Sequence, residues 1–134
     1  MRFGLFYEHQ LPRPWDDEGE ERLLQDALDQ VQLADELGFD SVWEVEHHFL
    51  EEYSHSSASE VFLAACSQRT RNLRLGFGIV AMPPGYQHPA RVAEKVATLD
   101  LVSRREHATH SGGWGFCLGL GTTLRIGIVK KRPS

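Results

Sequence analysis

The sequence predicts an α/β fold built on a parallel sheet. Two observations carry that prediction: strand-like and helix-like segments alternate along the chain, and the connections between them are short. Open doubly wound sheets and closed barrels both give this alternation. A third observation bears on the choice between them. A doubly wound sheet that binds dinucleotide usually carries G-x-G-x-x-G after its first strand, and this chain reads Glu8-His9-Gln10-Leu11-Pro12 there.

Arg2 to Tyr7 is a short apolar run and reads as the first strand. A polar loop with Pro12, Pro14 and the acidic run Asp16 to Glu21 leads into a helix, whose N-terminus those carboxylates favour. Leu24, Ala27, Leu28, Val31, Ala34 and Leu37 recur on one face of that helix. Gly38 can end it in the left-handed conformation. Phe39 to Val45 reads as the second strand, and Glu46 to Ser56 as an exposed polar and aromatic loop at its C-terminal end. Ser57-Ala58-Ser59-Glu60 has capping-box spacing and opens a second helix through Val61, Phe62, Ala65 and Cys66. Leu73 to Val80 is the third strand, with Gly76 and Gly78 permitting close backbone approach. Met82-Pro83-Pro84-Gly85 breaks it. Pro89 suits the first position of a third helix that buries Val92, Val96, Leu99 and Val102.

With 134 residues the chain suffices for one globular domain. Its 41% hydrophobic and 25% charged residues are ordinary for a folded soluble protein. A net charge of -5 gives no reason to expect nucleic acid or an anionic membrane as a partner. No apolar run approaches the roughly 20 residues that span a bilayer. The N-terminus lacks a signal peptide's apolar stretch and small-residue cleavage site. Cys66 and Cys117 are far apart without C-x-x-C spacing, so neither a structural zinc nor a disulfide framework is expected, and the cytoplasm is the expected compartment.

Four stretches together carry a family resemblance. They are Arg2-Phe3-Gly4-Leu5-Phe6, Leu37-Gly38-Phe39-Asp40-Ser41-Val42-Trp43 with Glu46-His47-His48-Phe49, Leu73 to Val80, and His88-Pro89-Ala90-Arg91-Val92-Ala93-Glu94 with Leu99 to Ser103. In this order they resemble the bacterial luciferase-like flavin-dependent monooxygenases over residues 1–103, and more loosely to Gly121. The resemblance implies a (β/α)₈ barrel of the triosephosphate-isomerase type with chemistry on the βα loops. It implies reduced flavin mononucleotide (FMN), or a deazaflavin in some branches, as cofactor. It further implies O₂ and a small organic substrate as reactants, and a separate flavin reductase as the source of reduced flavin. A full barrel needs about 250 residues. The chain is therefore expected to hold about the first four strands, near 2–7, 40–45, 73–80 and 114–119, and three helices. Residues 1–121 would be this N-terminal half, and 122–134 a divergent, poorly ordered tail. Two other functions stay open: a deazaflavin-dependent reductase, and a non-catalytic half-barrel whose open sheet edges lead it to associate with itself or a partner.

The resemblance places a proton-transfer role beside the flavin on His47, and imidazole suits it because its ordinary pKa lies near neutrality. A metal site using Glu46, His47, His48 and His55 is disfavoured, since adjacent histidines on an extended chain point to opposite faces. The resemblance puts Gly78 and Ile79 against the flavin ring, where some members hold a non-proline cis peptide. It also puts Cys117 beside the flavin, as the counterpart of a reactive thiol. The alternative for Cys117 is a small buried apolar residue. Leu118 stands where an arginine often touches the flavin phosphate. Arg91 and Glu94 are expected to brace the third helix against its neighbours.

Overall fold

The computed structural model describes residues 1–103, together with two short strands at 114–115 and 125–126. Strands β1 (Gly4–Tyr7), β2 (Ser41–Glu44) and β3 (Arg74–Phe77) alternate with helices α1 (Gly19–Glu36), α2 (Ser59–Arg69) and α3 (Pro89–Val102). The strands pair in parallel in chain order. Gly4 stands opposite Ser41, and Ser41 opposite Arg74, with Tyr7, Glu44 and Phe77 aligned at the other end. Backbone pairing runs on past the strand ends, from the Asp40 amide to Phe3 O at 2.8 Å and from the Gly78 amide to Glu44 O at 2.7 Å.

Helix α1 ends as the sequence predicts. Gly38 takes φ +81°, and the Phe39 amide donates back to Ala34 O at 2.9 Å. The Asp35 carboxylate then accepts from the amides of Arg71, Asn72 and Leu73, which ties the end of α1 to the segment entering β3. Pro89 opens α3, where the His88 ring accepts from the Ala90 amide at 3.1 Å.

All three helices share one core on one face of the sheet. Leu5, Tyr7, Val42, Leu75 and Phe77 meet Val31 of α1, Leu63 and Cys66 of α2, and Val96 of α3. The Cys66 thiol is free and buried, and burial pushes its pKa up to about 12, so it stays protonated and inert. Alternate strand positions point the other way. There the glycines make room for two rings. A Cβ on Gly76 would come within 2.5 Å of the Trp43 ring, and one on Gly78 within 2.9 Å of the Phe6 ring. Phe6 remains 58% exposed, so this second face carries no helix among the described residues.

Several expectations are corrected. The Ser57 capping box does not form: α2 begins at Ser59 with no side-chain cap, and Glu60 instead pairs with Lys95 of α3 at 2.7 Å. Val102 is exposed, because α3 turns Val92, Val96 and Leu99 inward. Arg91 and Glu94 pair with each other on the outer surface rather than bracing a neighbour. The expected fourth strand does not extend the parallel sheet. Trp114–Gly115 (β4) pairs antiparallel with Arg125–Ile126 (β5) in a separate two-stranded sheet. The chain does return to β3, since β4 lies beside it, but its ladder partner is β5.

Candidate functional site

Polar side chains gather beyond the C-terminal ends of β1, β2 and β3. The loop 46–56 is tied together at its base, where the His47 amide donates to Ser56 O at 2.8 Å, while its tip from Phe49 to Tyr53 stands exposed. His47 itself keeps about a quarter of its side chain accessible, with Nε2 3.4 Å from Glu8 Oε2. The Tyr53 ring lies 5.9 Å away, centroid to centroid. Glu8 Oε2 is buried and has no hydrogen-bond partner among the described residues. The pair therefore offers a partly open imidazole beside an acceptor that lacks a donor.

His48 turns to a different carboxylate. Its Nε2 lies 2.9 Å from Glu46 Oε1, and Tyr86 Oη lies 2.8 Å from the same nitrogen. Tyr86 also reaches Glu46 Oε1 at 3.2 Å, while Glu46 Oε2 accepts from the Ala81 amide at 3.0 Å. His55 pairs with Glu20 of α1 at 2.5 Å. The histidines considered for a metal thus take three separate carboxylate partners. Among the described residues no group of three or more His, Cys, Asp or Glu could hold one ion.

The most buried cluster was not singled out by the sequence. Glu44, at the end of β2, lies on the helix side with Val42, its side chain 1% exposed. His9 Nε2 lies 3.0 Å from Glu44 Oε1, close but off the hydrogen-bond direction, and the His9 side chain is equally buried. The Ser56 hydroxyl contacts Glu44 Oε1 and lies 2.5 Å from Val45 O. His9 holds φ +52°, a strained value for a non-glycine residue. The available signal was Glu44 itself, a carboxylate at the same parity as the apolar Val42.

Burial pushes the Glu44 carboxyl above the usual carboxylate range; His9 and Ser56 oppose the rise, and Glu8 adds to it. A carboxyl whose pKa is higher in the folded state lends stability that is full below its unfolded pKa. That stability is lost as pH rises through the folded value. As pH rises above the usual carboxylate range, the melting temperature of the wild type should therefore fall relative to that of Glu44→Gln, which lacks this titration. The same pH course in both proteins would remove Glu44 as the source.

The remaining predicted site residues are placed as follows. The Gly78 amide donates to Glu44 O at 2.7 Å, and its open side meets the Phe6 ring. Ile79 is partly buried. The Gly78–Ile79 peptide is trans, Arg13–Pro14 being the cis bond among the described residues; trans avoids a cost of about 3–4 kcal/mol. Cys117 and Leu118 lie outside the described residues.

The chain matches the model of the luciferase-like monooxygenase family over residues 1–104. It is 38% identical over 105 residues to limonene 1,2-monooxygenase of Rhodococcus erythropolis, covering 76% of this chain and 25% of that one. It is 31% identical to the oxygenase component of the flavin-dependent trigonelline monooxygenase of Acinetobacter baylyi, covering 77% and 27%. It therefore spans about a quarter of the length of these curated relatives. The oxygenating constituent of 3,6-diketocamphane monooxygenase of Pseudomonas putida, solved with FMN, shares the fold at a TM-score of 0.69 and 22% identity. That match covers 91% of this chain and 30% of the other.

Proposed function

The chain belongs to the luciferase-like monooxygenase family, and from that premise we propose that it supplies the opening βα units of a (β/α)₈ barrel that oxidises a small organic substrate with O₂ and reduced FMN. Three parallel strands with all their helices on one face support the barrel over a doubly wound sheet. When bound, reduced flavin supplies the electrons for O₂ activation. A separate reductase would deliver it, in keeping with a relative named as an oxygenase component. No helix among the described residues is long and apolar enough to cross a membrane. The free buried Cys66 suits a reducing cytoplasm.

The observation that carries the reading is the His47–Glu8 pair. A buried carboxylate oxygen without a donor, beside a partly exposed imidazole, fits a ligand that presents N–H groups, as a reduced flavin ring does. In this reading His47 holds or moves a proton at the ring, and Gly78 and Ile79 border it at the end of β3. Cys117 is the further flavin contact that the family resemblance implies. The phosphate would be anchored by later βα loops.

The test is a pair of anaerobic titrations, with reduced FMN and with a reduced deazaflavin. The protein is this chain joined to the later strands of the limonene monooxygenase. Binding of FMN in preference to the deazaflavin is the expected result. The reverse preference would make the protein a deazaflavin-dependent reductase. A second reading, a non-catalytic half-barrel that associates, is favoured by the exposed Phe6 on a sheet face that carries no helix among the described residues. A joined protein that folds and binds neither cofactor would bear that reading out.

A further inference from the structure

Resting on the role read for His47, we propose that Glu44 and Ser56 are positioning residues for that imidazole: Ser56, clamped between the Glu44 carboxyl and the Val45 carbonyl, presents the backbone oxygen that fixes the His47 amide. Each link is a contact of this chain. His9 faces Glu44 Oε1 at 3.0 Å, and the same oxygen contacts Ser56 Oγ. Ser56 O accepts from the His47 amide at 2.8 Å, closing the base of the loop 46–56. The loop's other end is tied to β1's extension, where the His55 amide donates to His9 O at 2.9 Å.

The proton count makes the clamp specific. A serine hydroxyl has one proton, yet Ser56 Oγ sits within bonding distance of two acceptors. Both contacts become hydrogen bonds when the Glu44 carboxyl carries a proton and donates it to Ser56 Oγ, leaving the hydroxyl to donate to Val45 O. An ionised Glu44 would compete with Val45 O for the single hydroxyl proton, and one link would be lost. The groups that face Glu44 are His9, Glu8 and Tyr7 from β1 and its extension, and Cys66 from α2. A glutamine at this position keeps an N–H donor in the same place, whereas a leucine has none.

Hydrogen exchange in the 134-residue chain tests the clamp. The His47 amide should exchange about tenfold faster in Ser56→Ala and in Glu44→Leu. It should keep its protection in Ser56→Thr and Glu44→Gln. The Gly78 amide is the control, because it donates to the main-chain oxygen of Glu44 and not to its side chain. It should stay protected throughout. The His47 ring-proton resonances, set partly by the nearby Tyr53 ring, should move in Ser56→Ala and return in Ser56→Thr. Unchanged His47 exchange in Ser56→Ala would overturn the proposal. So would an equal loss at Gly78, which would mark a general loss of stability. Should Ser56→Ala not fold, the pH course of His47 exchange, corrected for intrinsic rates, decides between the wild type and Glu44→Gln. Protection lost with rising pH only in the wild type supports the clamp, and identical courses overturn it. No flavin enters the experiment, so its failure removes the positioning role alone. Failure of the His47 reading would show instead in turnover.

Discussion

Replacing His47 by alanine is expected to lower turnover by about 10²–10⁴-fold, the range for loss of a positioned general acid or base. The measurement needs the chain joined to the later strands of a family relative and supplied with reduced FMN. Little loss of thermal stability should accompany it. The side chain is about a quarter exposed, and its contact with Glu8 is long at 3.4 Å, so few folded-state interactions depend on it. The tie at the base of the loop runs through the His47 backbone, which alanine preserves. A large fall in melting temperature with normal turnover would instead make His47 a structural residue.

Leu63→Ala should cost about 2–5 kcal/mol of unfolding free energy, the range for removing a buried leucine and leaving a cavity. Leu63 is 0% exposed at the centre of α2, the helix that packs against both α1 and α3. A small domain has only about 5–15 kcal/mol in reserve, so the effect should be plain in a urea melt. Val61→Ala, two residues away, is the internal comparison. Val61 is 65% exposed, and its truncation should change stability by no more than about 0.5 kcal/mol. Equal costs at the two positions would mean that α2 presents a different face to the core.

Much of this architecture was legible because periodicity reports burial directly. Ala27, Leu28, Val31 and Ala34 are the buried stripe of α1, and Gly38 ends it with a positive φ. Pro89 opens α3 for the same local reason: its missing N–H costs nothing in a first turn. Elsewhere, tertiary contacts overruled local signals. Glu60 found Lys95 on α3 rather than the Ser57 amide, and so the capping box was never made. Val61 and Val102 are apolar, yet each falls off the stripe its helix buries. The motif Glu46-His47-His48 was visible, but its sorting was not. Only the fold shows that His47 goes to Glu8 while His48 goes to Glu46 and Tyr86. The His9–Glu44–Ser56 cluster joins three segments remote in sequence, so spacing carried no trace of it beyond the parity of Glu44.

In the function proposed above, this chain holds part of a flavin site that further strands complete. Calorimetry with reduced FMN, run beside sedimentation of the isolated 134-residue chain, tests this most directly. The exposed Phe3 and Phe6, with a sheet face that no helix covers among the described residues, predict a species that associates or is marginally stable. It should take up reduced FMN weakly or not at all, because the phosphate anchor belongs to late βα loops. A well-folded monomer that binds reduced FMN at low micromolar concentration would contradict the account.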